Sequence, residues 1–421
     1  MIQVLRSSWA LLLGMSLLML GNGLQGTLLG IRGSLEGFST LSMSIVMSAY
    51  FMGFLGGSRL APEMIRRVGH IRVFAALGSF ISAILIMYPA IADPIAWTLL
   101  RVAIGFCFSA VYVTAESWLN NSSTNETRGQ SLSLYMIVQM IGIIGAQAIV
   151  AFGDPSGFVM FIIPSVLVSI SFAPILLSVN PTPPFETTKP MSLRTLYRFS
   201  PLGCVGMFLL GGVFSAQFGM AAVYGSQAGL SVREISIFVA TIYIGGLVLQ
   251  YPIGWASDRM DRRVLICGVA ILGGLACLVG AMLGHVFTLL LVVAFLIGGL
   301  SNPLYALLLA YTNDYLQHED MAAASGGMLF INGVGAITGP LITGWMMGPF
   351  GPPGFWMFIA TLMLLLGVYA IYRMTQRAAP SVSETSAYVT VLPTASAVTV
   401  EAATEWAAEH TDDAENEGNT G

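Results

Sequence analysis

The chain contains a long series of apolar runs, each close to the length of a membrane-spanning helix, and this pattern restricts the fold more than any other feature. About 20 residues of helix cross the hydrocarbon core of a bilayer, and a helix satisfies its own backbone hydrogen bonds there. Only 9% of the 421 residues are charged, whereas soluble domains contain about 25%. The mean hydropathy is +0.80. The sequence therefore predicts an all-α integral membrane protein and excludes a soluble enzyme.

Twelve transmembrane helices account for these runs. A proline-rich polar stretch separates the sixth from the seventh, and Arg66-Arg67 after the second helix recurs as Arg262-Arg263 after the eighth. This recurrence indicates two six-helix repeats. The helices are predicted near 8–30, 40–60, 72–92, 95–118, 132–153, 157–178, 201–224, 232–255, 264–282, 285–311, 323–348 and 353–373. The predicted domains are an N-terminal bundle (1–178), a cytoplasmic linker (179–200), a C-terminal bundle (201–375) and a tail (376–421).

The tail is rich in Ala, Thr, Ser and acidic residues and has no Lys or Arg after Arg377. Because it lacks hydropathy and periodicity, we expect a disordered acidic cytoplasmic tail that packs against nothing. The four cysteines lie inside apolar runs without metal-ligand spacing, so no disulfide, metal or cofactor is predicted.

The distribution of Lys and Arg predicts the orientation in the membrane. With a cytoplasmic N-terminus, only Arg32 and Arg233 fall in outside loops, and nearly all other basic residues fall on the cytoplasmic side. We therefore expect both termini in the cytoplasm.

The loop after the eighth helix reads GWASDRMDRR, from Gly254 to Arg263. Its pattern, Gly-x-x-x-Asp-Arg-x-x-Arg-Arg, resembles the signature loop of the major facilitator superfamily, with Asp261 in place of the usual small residue. The alternative is a basic hairpin that only sets topology. The resemblance implies two pseudo-symmetric six-helix bundles and secondary transport by alternating access.

A second motif, at the junction of the fourth and fifth helices, indicates one branch of the superfamily. The fourth helix ends in AESWLN and the fifth begins with RGQ, and this pairing is similar to the bacterial YcaD-type branch of the superfamily. The branch implies a multi-pass transporter of the bacterial inner membrane, and its substrate is poorly defined.

Arg101 is a charge inside the fourth span, on one helical face with Gly105, Tyr112 and Glu116. An arginine in a span costs at least about 2.5–3.5 kcal/mol, so we expect it to face a polar interior; snorkelling to the outer surface is the alternative. In the superfamily, helices 1, 4, 7 and 10 line the central cavity. The resemblance therefore implies a substrate site, beside Phe214 and Phe218, formed by Asn22, Gln25, Arg101, Tyr112, Gln217, Asn302 and Tyr305.

Charged residues at the cytoplasmic helix ends are the predicted gate. We expect Glu116 to pair with Arg66, Arg67 or Arg128, and Asp314 with Arg259 or Arg262, when the cytoplasmic side is closed; ordinary surface ion pairs are the alternative. The full predicted set comprises Glu116, Asp258, Arg259, Arg262, Arg263, Asp314, Arg66 and Arg67.

The function predicted from these features is uptake of a small neutral or weakly anionic organic solute, with the proton as candidate coupling ion. A vitamin-like heterocycle such as riboflavin is one concrete candidate. The alternatives are drug or metabolite efflux by proton antiport, which the missing Gly-Pro pair after Gly142 in the fifth helix disfavours, and a non-transporting membrane sensor. The expected partners are the solute and the lipid bilayer, and no nucleic acid is expected to bind. The protein is expected to be a monomer.

Overall fold

The computed structural model describes residues 2–121, 125–177 and 191–376 and, in the tail, 388–392, 394–396, 398–400 and 402–403. Regular elements in these ranges are helical, and twelve helices are long and apolar enough to cross a membrane. This confirms the predicted fold class. The spanning helices are α1 (Ile2–Leu35), α2 (Thr40–Val68), α3 (His70–Ala90), α4 (Pro94–Asn121), α5 (Asn125–Phe152), α6 (Val159–Leu176), α7 (Pro201–Gln227), α8 (Val232–Ser257), α9 (Arg262–Leu283), α10 (Phe287–Asn313), α11 (His318–Phe350) and α12 (Pro353–Met374).

The helices pair in the same way in each half of the chain. In the first half α1 packs on α5, α2 on α4 and α3 on α6; six helices later, α7 packs on α11, α8 on α10 and α9 on α12. The two bundles meet through α2 with α11 and through α5 with α8, which are again equivalent pairs. The repeat seen in the sequence is thus a pseudo-twofold relation between two six-helix bundles.

Close packing within a bundle depends on small residues, because helices in lipid associate through van der Waals contact rather than a hydrophobic drive. Gly105 of α4 is the clearest case. A Cβ atom at this position would lie 2.1 Å from the backbone oxygen of Tyr50, so only glycine lets α4 approach α2 this closely. Gly105, on the same face of α4 as Arg101, therefore sets the position of Tyr50 relative to Arg101.

The bundles touch each other near the end of the molecule opposite the Gly254–Arg263 loop. There Gly30 of α1 packs on Ala222 of α7, and Gly344 of α11 packs on Ser44 of α2. The other end, which carries the Gly254–Arg263 loop, is the loop end of the molecule. At the loop end, residues of the C-terminal tail lie between the two bundles.

The linker is described only in its last part. A short helix, Leu193–Phe199, precedes α7, and the backbone N–H of Met191 donates to the carbonyl of Ala323 at 2.9 Å. The end of the linker is thereby attached to α11.

Candidate functional site

A cavity of about 60 Å³ lies between the two bundles. Its walls are largely aromatic: α2 supplies one wall, and α7 and α11 supply the other. Within each wall the rings contact one another, with Phe214 and Phe218 stacked at a centroid distance of 5.9 Å. The lining residues include Tyr50, Phe51, Phe54, Ser58, Phe214, Phe218 and Asn332.

Arg101 lies directly behind the Tyr50 ring. Its guanidinium carbon is 4.7 Å from the ring centroid, and Nη1 donates to Oε1 of Gln25 at 2.7 Å. The residue is only 3% exposed, and among the described residues it has no carboxylate partner. Arg101 therefore faces the protein interior, as predicted, and does not snorkel to the surface in this structure.

The three other predicted polar residues of the N-terminal bundle form one hydrogen-bonded chain with Arg101. The Gln25 amide nitrogen donates to Asn22 Oδ1 at 3.0 Å, and the Asn22 amide nitrogen donates to the Tyr112 hydroxyl at 2.8 Å. The structure thus brings all four residues together. These hydrogen bonds orient the Gln25 carbonyl oxygen toward the Arg101 guanidinium. The contact partly compensates the free-energy cost of burying that charge.

The C-terminal bundle holds a second polar group of predicted residues. Gln217 and Ser301 hydrogen-bond each other, with the amide nitrogen 3.1 Å from the hydroxyl oxygen. The side-chain oxygen and nitrogen of Asn302 and the hydroxyl of Tyr305 are buried and have no partner among the described residues. Buried polar atoms of this kind are costly unless something satisfies them, so both residues are candidates for contact with a solute.

A π-helical segment, Ala216–Met220, interrupts α7 and contains Gln217 and Phe218. Single π turns inside α-helices occur frequently at functional sites. Here the segment places Gln217 against α10, where it meets Ser301, and Phe218 on the cavity wall. No pattern in the sequence announced this irregularity.

The sequence placed amides at the cavity surface, whereas the structure places them in a second layer behind aromatic rings. Tyr50 and Phe54 cover Arg101 and Tyr112, and Phe214 covers Tyr305. The rings of α2 were missed because the predicted site used helices 1, 4, 7 and 10 alone. Their only sequence signal, Tyr50-Phe51-x-x-Phe54, is the same as that of a core helix.

The predicted gating residues of the C-terminal bundle are mostly brought together at the loop end. Arg262 pairs with Asp314 at 2.5 Å, and both side chains are at most 3% exposed; it also donates to Ser257 and lies 3.8 Å from Asp258. Arg259 instead lies over the ring of Trp255. Because Arg262 and Asp314 belong to the same bundle, their pair stabilises that bundle and does not itself join the two.

Asp261, the unusual residue of the signature loop, begins α9. Its carboxylate accepts from the backbone N–H of Arg263 at 2.9 Å and pairs with the Arg263 guanidinium at 2.8 Å. Partial burial opposes the ionisation of Asp261, but the hydrogen bonds from Arg263 outweigh it and lower the pKa of this carboxyl below its usual value. Asp261 is thus an N-cap for α9.

The predicted pairing of Glu116 with Arg66 or Arg67 is not seen in this structure. Both arginines pair with Glu63 on their own helix and are exposed. Glu116 is buried and accepts from the Tyr135 hydroxyl at 3.1 Å and from the backbone N–H of Ser396 at 2.7 Å. The side chain of Arg128 lies outside the described part of the chain.

The tail residues that the structure describes are packed against the bundles. Val391, Leu392, Val400 and Ala403 are all at most 7% exposed. The prediction of a tail that packs against nothing is therefore wrong for these residues, because their short apolar side chains enter a cleft that only the assembled bundles form. The remainder of the predicted disordered tail lies outside the described residues.

Comparison with known proteins agrees with this architecture. A family model described as the Major Facilitator Superfamily matches residues 202–403. Two Escherichia coli proteins, each named "Uncharacterized MFS-type transporter YcaD", are similar along most of the chain. The protein from strain 536 is 28% identical over 367 residues, which cover 84% of this chain and 92% of the relative. The protein from strain S88 is 27% identical over 366 residues, with the same coverage.

Solved structures show the same fold at low sequence identity. Nucleoside transporter NupG matches with a TM-score of 0.69 at 15% identity, covering 88% of this chain and 99% of that chain. A bacterial homolog of the human lysosomal transporter Spinster, in an inward-facing and unoccupied conformation, matches with a TM-score of 0.68 at 13% identity. The match covers 96% of this chain and 98% of that chain. A D-xylose–proton symporter matches with a TM-score of 0.64 at 14% identity, covering 86% of this chain and 96% of that chain.

The described part of the chain forms a multi-pass membrane protein with twelve apolar helices, and its sequence is similar to bacterial transporters of the major facilitator superfamily. Within that class, the chain resembles the YcaD-type proteins, as its AESWLN and RGQ motifs indicated. The relatives and structural neighbours named here are transporters and not enzymes.

Proposed function

We propose that the chain is an alternating-access secondary transporter that imports a small organic solute across the bacterial inner membrane, with both termini in the cytoplasm. The observation that supports this most is the aromatic cavity, whose walls come from different bundles. Rocking of one bundle against the other exposes such a site to each side of the membrane in turn.

The solute proposed is planar, heteroaromatic and neutral or weakly anionic. Aromatic side chains favour offset stacking with flat π-systems, and the rings of Phe214 and Phe218 already lie nearly parallel, 9° apart. Arg101 behind Tyr50 supplies the positive charge, and no acidic residue lines the cavity among the described residues. A strong cation would therefore find no counter-charge at this surface.

Riboflavin is the concrete candidate, because it combines a flat fused ring system with carbonyl acceptors, the features proposed for the solute. The named functions of the structural neighbours, which include a nucleoside transporter and a D-xylose–proton symporter, support a small organic solute. The symporter also supports the proton as the coupling ion of this chain.

A thermal-shift panel on protein purified in detergent tests the solute class. Riboflavin, nucleosides, pentoses and aromatic carboxylates are compared, and we expect flat heteroaromatic compounds to raise the melting temperature and pentoses to leave it unchanged. Stabilisation by pentoses alone would contradict the proposed class.

Proteoliposomes then test transport itself. The compound that stabilises most is supplied outside, and an inward proton gradient is imposed. Import is expected to be faster with the gradient than without it. Export of the compound driven by the inward proton gradient would support efflux by antiport. Stabilisation of the protein without transport in either direction would support a membrane sensor.

A further inference from the structure

The described tail residues form one seated segment at the loop end. This plug segment consists of residues 388–392, 394–396, 398–400 and 402–403. Its apolar side chains belong to the same packed core as the transmembrane helices, and Val400 is only 1% exposed. The segment is therefore part of the folded structure, although it lies outside every predicted span.

The plug segment is attached to the C-terminal bundle at the signature loop. The backbone N–H of Tyr388 donates to Oδ1 of Asp258 at 2.8 Å, and the amide of Gln250 donates to the Tyr388 hydroxyl at 2.8 Å. The tyrosine ring lies so close to Gly254 that a Cβ atom there would be 2.6 Å from it. Burial raises the pKa of the Tyr388 phenol, and the nearby carboxylate of Asp258 raises it further, so the hydroxyl stays neutral.

The same segment is attached to the N-terminal bundle through Glu116. The backbone N–H of Ser396 donates to Oε2 of this buried carboxylate at 2.7 Å. The plug segment thus bridges α4 of one bundle and α8 of the other.

Between these two attachments the segment reaches the central cavity, where Thr394 forms part of the lining. Small-molecule sites usually have volumes of roughly 300–1,000 Å³, whereas this cavity has about 60 Å³. The plug segment therefore lies on the path between the cavity and the loop end and reduces the space that a solute would need.

We propose that the plug segment is an autoinhibitory element of the transporter. While it is seated, it closes the cavity toward the loop end and holds the bundles in one relative orientation, since a ligand that binds one conformation stabilises it. Release of the segment opens the cavity and frees Glu116 and Asp258, two of the three carboxylates of the predicted gate. This inference goes beyond the proposed function and does not depend on which solute is carried.

Cysteine labelling of the full-length protein tests the proposal without any substrate. Cys107, Cys204, Cys267 and Cys277 are replaced by alanine, and Ser58→Cys places a thiol on the cavity wall. N-ethylmaleimide labelling is then compared between the otherwise unchanged chain, a Val400→Asp variant and a chain ending at residue 378. Val400→Asp puts a charge where a buried valine packs, so it should expel the segment.

We expect labelling at position 58 to be at least tenfold faster in both altered chains than in the unaltered one. Gln376→Glu, which adds a negative charge at an exposed position outside the segment, should leave the rate unchanged. Arg67→Cys, in place of Ser58→Cys, should be labelled rapidly in every chain because this side chain is 74% exposed.

Tyr388→Ala provides a milder route if the other two altered chains fail to give a monodisperse gel-filtration peak. It removes one anchor without adding charge, and we expect roughly threefold faster labelling. Equal rates at position 58 in the unaltered chain and in every folded variant would overturn the proposal. Because the readout is labelling, this result is distinguishable from a failure of the proposed transport function.

Discussion

The Arg101 guanidinium carbon lies 4.7 Å from the centroid of the Tyr50 ring, and that ring forms part of the cavity wall. A cation over an aromatic face contributes about 2 kcal/mol when both are desolvated. The contact therefore fixes Tyr50 and keeps a full positive charge one ring away from the cavity. A solute that displaces Tyr50 would meet a guanidinium already oriented by Gln25.

The first prediction concerns Arg101. Arg101→Lys should weaken solute binding at least tenfold, because lysine lacks the planar fork that reaches Gln25 while covering Tyr50. Arg101→Ala should nearly abolish transport. Arg233→Lys, at an exposed arginine, is the matched control and should bind normally. Thermal-shift titration measures the affinities, and unchanged affinity in Arg101→Lys would remove the residue from the site.

The second prediction concerns the aromatic walls. Phe54→Ala and Phe218→Ala should each weaken binding of a flat heteroaromatic solute by roughly two- to tenfold, because an aromatic pair contributes about 0.5–1.5 kcal/mol beyond its buried area. Phe208→Ala removes a ring that is 41% exposed and does not line the cavity. It should leave affinity unchanged. Equal losses in all three variants would indicate a general packing effect.

The third prediction concerns the pair between Arg262 and Asp314. Asp314→Asn should lower the free energy of unfolding by about 3 kcal/mol or more, because it leaves a buried arginine without its closest counter-charge. Glu63→Gln breaks an exposed ion pair and should cost less than about 1 kcal/mol. Chemical unfolding in detergent measures both. Equal small effects would mean that the Arg262 pair contributes no more than a surface pair.

The fourth prediction concerns pH and the N-cap of α9. The pKa of Asp261 is lower in the folded protein than its usual value, which is about 3.9 in an unfolded chain. The stability that its charge contributes is therefore complete above about pH 4 and is lost as the pH falls through the folded value. We expect Asp261→Asn to melt below the unaltered protein at pH 6, with the difference shrinking on acidification. A difference that is independent of pH would contradict this.

The fifth prediction concerns topology. Reporter fusions after Arg72, Arg198 and Arg263 should give cytoplasmic signals, and fusions near Glu36 and Asp154 should give external ones, because basic loops are retained inside. An external signal at Arg263 would reverse the proposed orientation and place the plug segment outside the cell.

Much of this architecture could be predicted from the sequence because membrane insertion depends on local properties. Hydropathy over about 20 residues determines a span, so all twelve predicted spans correspond to helices. The repeated Arg-Arg pairs marked the two bundles. Arg101 could be placed in the interior because a charge in lipid is costly, and Asp314 could be linked with Arg262 because both are ionic groups at the same helix ends.

Tertiary structure alone decided which apolar residues form the cavity and where the tail lies. Lipid-facing and cavity-facing rings are equally apolar, so Tyr50 and Phe54 of α2 could not be told from core residues by their pattern. The π-helical turn at Gln217 depends on how α7 meets its neighbours. The plug segment has too little hydropathy to signal burial from its sequence. The cleft around Val400, and the acceptors at Glu116 and Asp258, come together only after the two bundles have packed against each other.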